Sequence, residues 1–130
     1  MTVLDRIGAS TPESARAGLK ELAVSSDGKR RRTWAVLGAM AGQDRLAHMD
    51  LGRFLVRLDI SHLVAVGSAA GAIHAGAVLE GSWGEESVHV PDAEAAVDLL
   101  REQLAPTDVV LLAGPGLEGL RRGLGTAGPS

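Results

Sequence analysis

Three short, unbroken apolar runs constrain this chain most: TWAVLG (33–38), HLVAVG (62–67) and DVVLLAG (108–114). None alternates apolar with polar residues, as a strand with one wet face would. Each is bounded by polar or glycine-containing segments and separated from the next by helical periodicity. Continuous apolar strands alternating with amphipathic helices imply a parallel sheet covered on both faces. The reading is therefore an α/β fold, a Rossmann-like three-layer α/β/α sandwich with a mainly parallel sheet.

The intervening segments support it. TPESARAGLKELAV (11–24) repeats apolar residues at Ala15, Leu19 and Leu22, with Thr11 as a cap and Pro12 at the first helical position. RLAHMDLGRFLVRL (45–58) predicts a second helix with Ala47, Leu51, Phe54 and Leu58 on its inner face. SAAGAIHAGAVLEG (68–81) predicts a helix of small residues suited to close packing, with Ser68 as its cap. PDAEAAVDLLREQL (91–104) predicts a fourth, capped by Asp92, with Ala93, Ala96, Val97, Leu100 and Leu104 as its stripe. LEGLRRGL (117–124) adds a last short one. TVLDRI (2–7) and SVHV (87–90) are short strands, the second counted with the inner ones. The 130 residues fit one domain over 1–124 with a flexible tail at 125–130.

With aromatics at 2%, the core must come from Ala, Val, Leu and Ile. Net charge is −3 and cysteine is absent. No global basic field or stacking ladder points to nucleic acid, and thiolate chemistry is excluded. No apolar run is long enough to span a bilayer, and a cytoplasmic location is the expectation.

Chemical motifs are sparse. There is no GxGxxG after the first strand and no GxxxxGK[ST] anywhere. The four histidines, His48, His62, His74 and His89, form no HExxH or ligand cluster, so no metal site is expected. Ser68 lies in GSAAG rather than GxSxG, and no catalytic residue is assigned. The basic run Lys29-Arg30-Arg31-Arg32 reads as a solvated loop, with anion binding as an alternative use. Strand-end turns at Gly38, Gly67, Pro91 and Gly114 define the edge where such folds hold ligands.

TPESARAGLKELA, RRTWAVLGAM, AHMDLGRFLVRLDISHLVAVG, GAVLEGSWG and PDAEAAVDLLREQLAPTDVVLLAG, in this order, resemble the C-terminal domain of the Mur ligases. The likeness is greatest to the branch that adds D-alanyl-D-alanine to a UDP-muramoyl tripeptide. The resemblance implies a domain that closes over the site of an ATP-dependent amide ligase. Its partners would be the ligase N-terminal and central domains, the central one bringing ATP and Mg. There a carboxylate becomes an acyl phosphate, which an amine then attacks. The resemblance also marks Arg6, Thr11, Gly38, Met40, His48 and Gly114 as substrate- or nucleotide-facing.

The ligand-facing turns depart from the family pattern. Where the family writes Asp-x-Tyr-Asn-Ala-Asn-Pro-x-Ser, Arg6 replaces the Asp, Gly8 the Tyr, and Ala9 and Thr11 the two Asn. GAMAGQD keeps Gly38 and Met40 of Gly-x-Met-x-Glu-Leu-Gly but loses the Glu. Ala113-Gly114-Pro115 replaces Lys-Gly-Ser. His48 and Gly52 match. These departures imply a domain with altered site motifs and no catalysis alone. A fragment or split subunit of an active ligase, or a small anion- or ligand-binding module drawing on Arg6 and the Lys29–Arg32 run, are the alternatives.

Overall fold

The computed structural model describes residues 1–28, 30–81 and 83–124. Five strands alternate with five helices. They run β1 (Thr2–Arg6), α1 (Pro12–Val24), β2 (Thr33–Gly38), α2 (Arg45–Arg57), β3 (His62–Val66), a 3-10 turn (Ser68–Ala70), α3 (Gly71–Gly81), β4 (Ser87–Val90), α4 (Ala93–Gln103), β5 (Val109–Ala113) and α5 (Glu118–Gly123). The expected tail at 125–130 and Lys29 lie outside the described residues.

The sheet is parallel throughout, in the order β1-β5-β2-β3-β4. Three crossovers step one way along it and put α1, α2 and α3 on one face. The return from β4 to β5 puts α4 on the other, as a constant crossover hand demands. One core joins Leu19, Leu22, Leu51, Leu55 and Ile73 to Leu37, Leu63 and Leu111. The other joins Val97, Leu100, Leu117 and Leu120 to Trp34, Val36, Val64 and Leu112. Alternate residues of one strand feed opposite cores, which is why the inner strands carry no polar phase. SVHV is not an inner strand: β4 forms one edge of the sheet, and His89 on it is exposed.

Helix starts follow local chemistry. Thr11 and Ser14 form a reciprocal capping box on α1. Asp44 accepts from Ala47 N–H at 2.8 Å and Asp92 from Ala95 N–H at 2.9 Å. Ser68 is not the cap expected of it: it opens the 3-10 turn and makes no side-chain capping bond.

The inner face of α2 also differs from expectation. His48, Leu51, Gly52 and Leu55 are buried, while Ala47, Phe54 and Leu58 are only partly so. The helix is turned because α2 and α3 meet backbone to backbone. A Cβ on Gly52 would lie 2.0 Å from Ile73 O, and one on Gly76 would lie 2.0 Å from Met49 O. Glycine at both positions permits that approach.

At the amino ends of the strands, the second half of the basic run, Arg31 and Arg32, is tied into the fold, while Arg30 is exposed as a solvated loop would have it. Arg31 donates to Thr107 O and Thr2 Oγ1. Arg32 donates from two nitrogens to the Asp108 carboxylate. Asp108 is 1% exposed and also accepts from Trp34 Nε1 and Ala105 N–H. Burial pushes its carboxyl up, but these hydrogen bonds outweigh it and hold the pKa below the ordinary value. His62 stacks on Trp34 with centroids 4.0 Å apart.

Candidate functional site

The carboxyl ends of β2, β3, β4 and β5 open into a two-lobed groove. The chain leaves β2 toward one face and the adjacent β5 toward the other, the switch point where parallel sheets bind ligands. The first lobe, about 600 Å³, lies between the β2–α2 turn and the start of α3. The second, about 430 Å³, lies between the β3 turn, the start of α4 and the β5 turn. Ala39, Ser68 and Ala69 belong to both.

The floor depends on two glycines. A Cβ on Gly38 would meet Pro115 O at 2.2 Å. Gly114 has φ +107°, and a Cβ there would meet Gly38 O at 2.8 Å. The ends of β2 and β5 therefore touch through backbone alone.

His48 shapes the first lobe. Met40 N–H donates to Nε2 at 3.0 Å, and Nδ1 lies 2.8 Å from Asp44 O. Since Nε2 must accept and a carbonyl cannot donate, the ring is the neutral Nδ1–H tautomer. Both nitrogens are thereby used in closing the 40–44 turn.

Of the six residues singled out from the sequence, only Met40 and His48 line a lobe, and both are buried. Gly38 and Gly114 form the contact just described. Arg6 and Thr11 sit apart, at the end of β1 and the start of α1. Arg6 pairs with Glu21 at 2.8 Å and donates to Asp5 O at 2.9 Å, and Thr11 caps α1.

Of the polar groups facing the first lobe, sequence reasoning passed over Arg45 and Gln43 and read Ser68 as a helix cap. Arg45, Gln43 and Ser68 line it, and their side chains make no hydrogen bond or ion pair with the described residues. Arg45 carried a signal: it is a cation in the first turn of a helix, where the macrodipole disfavours positive charge. With Asp44 beside it, the lobe offers one cation, one anion, an amide and a hydroxyl. Such a set suits a small zwitterion. Among the described residues no three His, Asp or Glu side chains converge as a metal ligand set. No helix among them is long and apolar enough to cross a membrane.

Comparison with known proteins places this architecture. The family model described as Mur ligase, glutamate ligase domain, matches residues 1–116. The chain is 46% identical to a UDP-N-acetylmuramoyl-tripeptide--D-alanyl-D-alanine ligase of Mycobacterium leprae, over 86% of this chain and 25% of that one. It is 44% identical to the enzyme of that name from Mycobacterium tuberculosis, over 92% and 27%. Among solved structures, MurF from Thermotoga maritima in complex with ADP superposes with a TM-score of 0.65 at 19% identity, over 95% and 27%. MurF from Acinetobacter baumannii gives 0.64 at 23%, over 92% and 26%. At these identities the structural likeness speaks for the fold. The chain spans about a quarter of the length of the curated relatives it matches. It belongs to the Mur ligase family as its C-terminal, glutamate ligase domain.

Proposed function

We propose that this domain closes over the reacting ends of an ATP-dependent peptidoglycan-precursor amide ligase, holds the incoming dipeptide, and performs no chemistry by itself. One observation carries the reading: the groove presents free binding groups, while its only imidazole, His48, has both nitrogens engaged. Arg45 can take a carboxylate through two parallel N–H bonds. Asp44 lies where an ammonium would be attracted. What such a wall contributes is orientation and exclusion of water. ATP and Mg²⁺ would be held by the other domains, with phosphate-loop chemistry this chain lacks. A cytoplasmic location, where soluble peptidoglycan precursors would be assembled, belongs to the same proposal.

A second reading is a domain whose grip on ligand has been altered. Arg6, at the family's acidic position, is tied to Glu21, and Thr11 is spent on a helix cap. One experiment separates the readings. The chain is mixed with a two-domain ligase fragment lacking its own C-terminal domain, with ATP, Mg²⁺, UDP-muramoyl tripeptide and D-alanyl-D-alanine. ADP release only in the mixture supports the closing role. No release in the mixture supports the altered-grip reading. Turnover of ATP by the chain alone overturns both.

A further inference from the structure

We propose that His89, on the open edge of the sheet and outside both lobes, is a positioning residue that sets the shape of the groove. The inference rests on the reading of the groove given above. The wall shared by the two lobes is the turn after β3, Gly67 to Gly71. Within the turn Ala70 N–H bonds Gly67 O and Gly71 N–H bonds Ser68 O, but Gly67 has φ +95° and no side chain caps the turn. It is fastened from β4 at two points. Gly67 N–H donates to Val90 O at 2.9 Å. The His89 ring lies with Nε2 2.7 Å from Gly67 O, so Nε2 must be the donor. The same carbonyl takes Ala70 N–H at 3.1 Å, the bond that closes the 3-10 turn. The ring also lies against Gly71, where a Cβ would come within 3.1 Å of its Cε1. An imidazole two residues before Pro91 thus fixes the direction of the peptide from which Ser68 and Ala69 enter the groove. His74 is the neighbouring titratable group. It is held by Ser87 Oγ at 2.6 Å, with its ring 6.3 Å from that of His89.

The test compares His89→Leu, which keeps bulk but has no donor, with His89→Gln, whose amide can donate from a similar position. Backbone amide spectra and hydrogen exchange of the chain give the first readout. His89→Leu should shift the Gly67–Gly71 amides and speed exchange at Ala70 about tenfold, with His89→Gln returning both toward the parent. D-alanyl-D-alanine, titrated as the probe, gives the second. Its affinity at the Ser68–Ala69 amides should fall about fivefold in His89→Leu. Unmoved turn amides in His89→Leu, or no recovery in His89→Gln, would overturn the proposal. So would an unchanged dipeptide affinity in His89→Leu. A parent chain whose groove amides ignore the dipeptide would instead overturn the groove reading, and the exchange data would still decide the role of His89.

Discussion

Replacing Gly52 by alanine tests the crossing of α2 and α3. The added methyl would lie 2.0 Å from Ile73 O and 2.7 Å from Ala77 N, against about 3.5 Å for comfortable contact. Both obstacles are backbone atoms of α3, so no rotamer change relieves them. The helices must part by about 1 Å, opening gaps along the seam beneath His48 and Leu55. Overpacking of this kind costs about 3 kcal/mol at the upper end of its range. Alanine returns about 1 kcal/mol through its better helix propensity. The net loss is about 2 kcal/mol, a drop in Tm of about 6–8 °C for a domain of this size. Gly18→Ala is the internal control. Its methyl would meet only the Leu111 side chain, nearest at 3.2 Å, which can yield. Its Tm should hold or rise by up to about 3 °C. Thermal unfolding followed by circular dichroism measures both. A Gly52→Ala chain melting at or above the parent would refute the account of the crossing.

Two further outcomes are expected. Asp108→Ala strands the buried Trp34 Nε1–H and Ala105 N–H, and should cost about 2–4 kcal/mol in urea unfolding. The half-exposed Arg32 adds little to that figure; a loss below about 1 kcal/mol would contradict the role given to the knot. Stability should also fall in two steps on acidification. His62 is held below its ordinary value by burial and then by Arg32, and His74 by burial and then by the His89 charge. The unfolded chain therefore binds protons first, and stability falls as pH drops below about 6.5. Asp5, held down chiefly by its hydrogen bond from Arg121, and Asp108 behave likewise. Their contribution is full above the unfolded value of about 3.9 and is lost as pH falls through the lower folded values. Urea midpoints flat between pH 7 and 5 would refute the histidine part.

Much of the architecture was legible because strand burial and helix caps are local. TWAVLG and SVHV coincide with β2 and β4, and Thr11 and Asp92 start their helices where side-chain chemistry favours it; the Asp44 cap on α2 went unread. What failed was non-local. A scan of apolar residues steps over His48 and Gly52, yet these face inward, one for its hydrogen bonds and one for its missing Cβ. SVHV looks as apolar as an inner strand, but only the order of strands makes it an edge. Arg31 and Arg32 looked solvated because Thr107 and Asp108, which hold them, lie more than seventy residues away. At the groove, glycine marked the turns correctly. Arg45 and Ser68 were missed because one read as a helix residue and the other as a cap.

The insertion of β5 between β1 and β2 has a consequence for how the domain comes into being. Residues 109–113 are the last of the five described strands to be made, yet they occupy the second place in the sheet and bring Pro115 against Gly38. Until they emerge from the ribosome, β1 lacks the strand it pairs with and β2 keeps one flank unpaired. The floor of the groove cannot exist in that interval. The growing chain must therefore hold two unpaired strand edges apart, and a premature β1–β2 pairing would lock out the strand on which the groove depends.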